Sequence, residues 1–237
     1  MSEYVKSFVE TDNYNRLSEG VQRLKRLPKD APRIGIAYGK YGLGKTNALD
    51  RIASKENAIL MRCRKTWTKK AFLIDLGDII GDITGRTAHA LYLEVLKSLN
   101  RRPRILIIDE VDHLLDDRNN PILELIRDIY DETAIIVLFV GMEQAKGKFA
   151  KQEHYNSRIS DFIHFQPVTE VDIRKFCDRY TVKIADDLIM YFLEYFPNLR
   201  HIKTLMERIE EWCEINDHDT VDLKQFHTAG LKHGLGE

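Results

Sequence analysis

Residues 33–46 read RIGIAYGKYGLGKT: a short apolar run, a glycine-rich turn, then Lys45 and Thr46 at the start of an expected helix. Residues 39–46 fit G-x-x-x-x-G-K-T, and the motif carries weight here because a strand is expected before it and a helix after it. Gly39, Gly42 and Gly44 would let backbone N–H groups curl around phosphate oxygens, and the helix N-terminus adds partial positive charge. Tyr41, Leu43 and Asn47 complete the cradle. In such a loop the Lys45 ammonium reaches the β and γ phosphates of ATP, and the Thr46 hydroxyl ligates Mg²⁺. The competing reading is a glycine-rich loop that binds nothing.

A second stretch weighs against that alternative. Residues 105–110 read ILIIDE, four apolar residues followed by two carboxylates. A buried strand that ends by presenting acids does so at the carboxyl edge, where doubly wound sheets bind their ligands. Asp109 is expected to hold the magnesium, and Glu110 to orient or deprotonate the attacking water.

Working outward, residues 134–140 (AIIVLFV) form another continuous apolar run rich in β-branched residues, as suits a parallel strand buried on both faces. Residues 58–62 give a fourth strand, and residues 162–166 a weaker fifth. Helical stretches at roughly 44–55, 69–81, 87–99, 120–131 and 143–150 alternate with them. The expected fold is α/β, a five-stranded parallel sheet with helices on both faces, over residues 1–167. After Pro167 everything reads as helix (169–180, 184–195, 198–216 and 220–231), a small helical lobe over residues 168–237. Thr169 with Asp172 caps the first of these helices, and Asp219 or Thr220 the last.

Composition narrows the class. Of 237 residues, 43% are hydrophobic and 31% charged, an ordinary globular balance that excludes a disordered chain. No stretch approaches the roughly 20 apolar residues of a membrane helix. The N-terminus has no secretory pattern, and Cys63, Cys177 and Cys213 form no CxxC pair, so a cytoplasmic protein without a membrane partner is expected. The histidines show no metal-ligand spacing. The net charge of −1 excludes a globally basic nucleic-acid binder, but the charge is unevenly spread. Residues 168–237 hold nine basic and fourteen acidic side chains, against 27 and 23 in residues 1–167, so a polyanion should meet the first part of the chain.

Two arginines are candidates for the γ-phosphate. Arg158, in NSRI before the last strand, is placed to act across a subunit interface, with a surface salt bridge as the alternative. Arg200, in NLRHIKTL at the start of a lobe helix, is placed to reach the nucleotide, with helix capping or an ion pair as the alternative.

With both halves of the nucleotide motif, DEVDHL after the third strand, VGMEQ after the fourth, SRI before the fifth and NLRHIKTL in the lobe, the chain resembles an AAA+ P-loop ATPase. Within that superfamily it most resembles the transposition-targeting ATPases, typified by phage Mu B protein and the C subunit of Tn7-like transposons. The resemblance runs from FVET at residues 8–11 through the lobe. It implies an ATP-dependent, non-sequence-specific DNA-binding ATPase, bacterial or phage-encoded, that assembles with itself as a ring or helical filament on duplex DNA. Such a protein recruits a transposase, sometimes with a further target-selection protein, and hydrolyses ATP slowly under stimulation by DNA or a partner. Arg158 then matches the trans-acting finger and Arg200 the second sensor. The chain departs from the pattern where relatives place a polar sensor after the fourth strand, since Met142 stands there. It also starts close to the ATPase core, with no N-terminal DNA-binding helical domain expected.

Residues 62–70 (RCRKTWTKK) carry the densest basic cluster. Arg64, Lys65, Thr66, Lys69 and Lys70 are the expected phosphate contacts, with Arg86 on a second loop. The alternative is a solvated loop paired with Asp75 and Asp78. Protein-only switching and initiator-like helicase loading remain alternative functions.

Overall fold

The computed structural model describes residues 8–81, 83–116 and 120–232. In chain order the elements are α1 (Asp12–Arg26), β1 (Ile34–Tyr38), α2 (Lys45–Glu56), β2 (Ile59–Arg62), α3 (Lys69–Ile80), α4 (Ala88–Arg101) and β3 (Leu106–Asp109). Then come α5 (Asp112–Leu115), α6 (Pro121–Thr133), β4 (Val137–Gly141), α7 (Ala145–Ala150), α8 (Glu153–Asn156) and β5 (Ile159–His164). The last are α9 (Glu170–Cys177), β6 (Lys183–Ile184), α10 (Asp186–Tyr195), α11 (Leu199–Asn216), β7 (Thr220–Val221) and α12 (Leu223–Thr228).

The chain folds as two units. Among the described residues, the larger comprises those within 16–40 and 46–165; the smaller comprises 8–15, 41–45 and 166–232. Residues 8–15 and the centre of the phosphate loop group with the residues that follow 165.

The larger unit is an all-parallel sheet in the order β2-β3-β4-β1-β5. Strands β1, β3 and β4 are buried along their whole length, as their unbroken apolar runs require. Ile36, Ile108 and Phe139 stack through the middle of the core, with Leu73, Val95 and Ile126 covering them from α3, α4 and α6. Helix starts follow local chemistry: Thr68, Thr87 and Asn120 each accept an N–H in the first turn of α3, α4 and α6. β5 lies earlier than expected, at 159–164 instead of 162–166. It is a sheet edge, so exposed Ser160 and Phe162 alternate with better-covered neighbours and blur the apolar signal.

The smaller unit has its own core of Ile173, Phe192, Leu205, Met206, Ile209 and Phe226. Thr169 and Asp172 make a reciprocal capping box on α9, as expected. Two readings need correction. The lobe is not purely helical, because Lys183 and Ile184 pair in parallel with Thr220 and Val221. The last helix starts later and is capped by Asp222 with Gln225, not by Asp219 or Thr220, since the latter enters the strand. α1 adds a helix to those expected; its buried face is formed by Leu17, Val21 and Leu24.

Candidate nucleotide and nucleic-acid site

The loop 39–44 leaves the carboxyl end of β1 and ends where α2 begins at Lys45, the strand–loop–helix context its motif demands. Gly42 and Gly44 sit at φ +76° and +85°, backbone that side chains rarely adopt. Leu43 is buried, Tyr41 is 62% exposed, and Thr46 and Asn47 stand on the first turn of α2.

Two asparagines clasp this loop within the smaller unit, and neither belongs to the motif that announces it. Asn13, 2% exposed, donates through Nδ2 to the carbonyls of Leu43 (3.3 Å) and Gln166 (2.8 Å) and accepts from the Gln166 N–H (2.8 Å). Asn198 accepts the N–H groups of Arg200 (2.9 Å) and His201 (3.4 Å) through Oδ1, capping α11, and donates to the Tyr41 carbonyl (3.4 Å). The next N–H, that of Leu199, donates to the Gly42 carbonyl at 3.0 Å. A Cβ on Gly42 would meet the Asn198 carboxamide at 2.1 Å, so loop and helix start are in direct contact. Arg200 is exposed beside this clasp, and among the described residues its side chain enters no ion pair.

In the larger unit, Asp109 ends β3 and is 5% exposed. Its Oδ1 accepts the Glu110 N–H at 2.9 Å, and its Oδ2 lies 3.8 Å from the Arg62 Nε. Glu110 is in the left-handed region at φ +56°. That costs a side-chain-bearing residue roughly 1 kcal/mol or more, a form of strain that clusters at working sites. Its carboxylate projects into solvent, 61% exposed, with the His113 Nε2 at 3.9 Å. Met142 does follow β4, and its N–H is held by Asp112 Oδ2 at 2.6 Å, while Asp112 Oδ1 is buried without a partner. Cys63 donates its backbone N–H to the Asp109 carbonyl at 2.9 Å. Burial, then the charges of Asp109, Glu110 and Asp112, push its thiol pKa far up, which makes it an inert packing residue.

Mg²⁺ suits the donors present. Asp109 and Thr46 offer hard oxygens, and an ion that keeps most of its waters and shares phosphate oxygens needs no all-protein cage. Among the described residues no group of three or more His, Cys, Asp or Glu could hold a metal.

Arg158 lies just before β5, at the amino edge of the parallel sheet, whereas Asp109 lies at the carboxyl edge. Its guanidinium donates to Asp131 through Nε (2.8 Å) and Nη2 (2.9 Å) and to the His154 carbonyl through Nη1 (2.6 Å). The Asp131 bond, foremost, holds its pKa above the usual arginine value despite partial burial.

The basic cluster begins where Arg62 is the Cα partner of Asp109 across β2 and β3. Arg64 pairs with Asp75 (3.3 Å), which also accepts the Trp67 Nε1–H (2.8 Å). Trp67 packs edge-on against Phe72, its ring forming the base of the loop. Lys65, Thr66, Lys69 and Lys70 are exposed, and no described carboxylate pairs with any of the three lysines. Arg86 is exposed on the loop before α4; Asp82, which opens the expected turn, lies outside the described residues.

A family model described as "AAA domain" matches residues 29–149, just over half the chain. The chain belongs to the AAA domain family. A "Potential ATP-binding protein" of Staphylococcus aureus is 23% identical over 94% of this chain and 95% of its own length. Among solved structures, the fold is similar to the Aeropyrum pernix ORC1 protein in complex with DNA, with TM-score 0.60, 20% identity, and coverage of 97% of this chain and 67% of that one. It is also similar to Cdc6p of Pyrobaculum aerophilum, with TM-score 0.68, 13% identity, and coverage of 100% and 72%. A RuvB mutant of Thermotoga maritima gives TM-score 0.64, 18% identity, and coverage of 97% and 74%. The fold and the family match make this an AAA+ P-loop domain. None of its described helices is long and apolar enough to cross a membrane.

Proposed function

We propose that this AAA+ protein is an ATPase that binds duplex DNA without sequence preference when ATP-bound, assembles with itself along the duplex, and hands the bound site to a transposase. The observation that carries the DNA part is the arrangement of residues 62–70. Lys69 and Lys70 occupy the first turn of α3, where like sign to the helix dipole makes them unfavourable for helix stability. Cations and the helix end there add to attract an anion, and exposed Lys65 stands beside them. The same loop starts at Arg62, 3.8 Å from the buried Asp109, so the base of the DNA loop is tied to the residue that would hold Mg²⁺.

In the hydrolytic step, Gly42 and Gly44 let the loop amides face the phosphates, Lys45 neutralises β and γ oxygens, and Glu110 orients the attacking water. Thr46 and Asp109 would hold a Mg²⁺, which would supply charge neutralisation. Arg158 stands at the sheet edge away from Asp109, which fits a finger offered to a neighbouring subunit. Arg200, next to the Asn198 clasp, senses whether the loop is filled. The transposase is the finer part of the reading and rests on the sequence resemblance. The likeness to ORC1 and Cdc6p favours a second reading, an initiator-like loader, which shares every ATPase role.

The test is binding of a labelled random-sequence duplex with ATP, ADP or no nucleotide at two salt concentrations, with sizing of the assemblies. The expected result is ATP-dependent, salt-weakened binding with large oligomers. Replacing Lys65, Lys69 and Lys70 by Ala lowers the log–log salt slope by roughly 0.9 per lost contact. Absence of binding in every nucleotide state, with ATP turnover intact, overturns the proposal in favour of a switch acting through proteins.

A further inference from the structure

At the amino edge of the sheet, the larger unit has a recess of about 260 Å³ lined by Lys25, Lys29, Arg33, Glu56, Arg104 and Thr133, among others. Four cations face one carboxylate, but the pairings must be subtracted first. Lys25 is neutralised by Glu56 at 2.7 Å. The Arg104 guanidinium donates to the carbonyls of Asn57, Ile79 and Ala58 at 2.8 to 3.3 Å. Burial and the neighbouring Arg102 make its charged form costly.

What remains is Lys29 and Arg33. Lys29 is exposed and has no ion-pair partner among the described residues. Arg33 uses only Nη1, which donates to the Ala134 carbonyl at 3.3 Å, while its backbone N–H donates to the Tyr130 hydroxyl at 3.1 Å. Its Nε is buried with no hydrogen-bond partner, and no described residue takes Nη2. Nε and Nη2 form the side-on fork of the guanidinium, two parallel donors that match two oxygens of one oxyanion. A buried donor left unpaired is costly, and each such group in a folded protein asks for a partner. Two uncompensated positive charges ask for a dianion over a single carboxylate.

We propose that this recess is a second oxyanion site that takes a phosphate-class dianion through the Arg33 fork and Lys29. It is separate from the nucleotide loop, because β1 leads from one to the other and its five residues span about 16 Å at roughly 3.3 Å each.

The experiment titrates inorganic pyrophosphate, without added metal, into the full chain and into the Lys45→Ala, Arg33→Gln and Lys29→Gln variants, read by isothermal calorimetry. The expected result is one binding event that survives Lys45→Ala and a second that does not. Combining Lys45→Ala with Arg33→Gln weakens the surviving event by tenfold or more, the scale of losing charge-assisted bonds. Combining it with Lys29→Gln weakens that event several-fold. Lys29 is exposed and has no ion-pair partner among the described residues, so its variant decides the matter if Arg33→Gln fails to fold. Loss of all binding in Lys45→Ala overturns the proposal, as does a surviving event that neither Arg33→Gln nor Lys29→Gln changes.

Discussion

Asn198 serves both the start of α11 and the phosphate loop, and two substitutions separate the roles. In Asn198→Ala, α11 loses a cap that accepts two N–H groups, a loss of about 1 kcal/mol within a range of roughly 0.5–2. The 3.4 Å bond to the Tyr41 carbonyl is long and adds at most about 0.5 kcal/mol. The total of about 1–2 kcal/mol corresponds to a fall in Tm of roughly 2–8 °C for a chain of this size. In Asn198→Asp the cap is kept, since Asp and Asn rank together at this position. The donor facing the Tyr41 carbonyl, however, becomes a second carboxylate oxygen, and one negative charge is placed against the loop. Taking a separation of about 8 Å and an effective dielectric of 20–80, one net unit of phosphate charge is repelled by roughly 0.5–2 kcal/mol. Asn198→Asp should therefore melt close to the parent yet bind ATP about 2–30-fold more weakly. Asn198→Ala should melt lower while losing less affinity. Scanning calorimetry of the nucleotide-free proteins and a fluorescent-ATP titration give both numbers. If Asn198→Asp destabilises as much as Asn198→Ala and leaves ATP affinity unchanged, the clasp on the loop is refuted.

The other expectations are shorter. Arg158→Ala should bind ATP normally and lose about 10³-fold or more in turnover within assemblies; mixing it with Lys45→Ala subunits should restore part of the activity, and failure to do so rules out action in trans. Glu110→Gln should retain ATP binding and hold DNA longer than the parent, since the ATP-bound form then persists; a DNA lifetime unchanged in ATP contradicts the coupling. Phe139→Ala removes a ring that is 0% exposed and packs against Phe149 and Tyr155 at 4.9 and 5.5 Å; urea unfolding should show a loss of about 3–5 kcal/mol. Burial, foremost, raises the Cys63 thiol strongly and that of Cys177 to about 12, so thiolate is scarce at pH 8 and a thiol reagent should leave both unmodified until the protein unfolds.

How much is legible follows from where the information lies. The phosphate loop, the Asp109 and Glu110 pair and the buried strands β1, β3 and β4 are each written in contiguous residues, because a turn needing positive φ and a strand buried on both faces impose local composition. β5 reads three residues late because edge strands alternate and their pattern is weak. The two-residue strands of the lobe, Lys183–Ile184 and Thr220–Val221, leave no periodic trace, being too short to show one. The basic cluster is visible as composition, but the pairing of Arg64 with Asp75 and the exposure of Lys65, Lys69 and Lys70 are not.

The phosphate-loop core is thus specified along the chain, since the motif residues are neighbours and their chemistry depends on spacing alone. What holds that core in place is supplied by folding: the Asn198 contact spans 157 positions, Asn13 reaches Leu43 across 30, and Arg158 is met by Asp131 across 27. Those side chains satisfy buried or charged groups with partners distant in sequence. No periodicity or propensity encodes such a meeting, because it is a property of the packed chain and not of any segment.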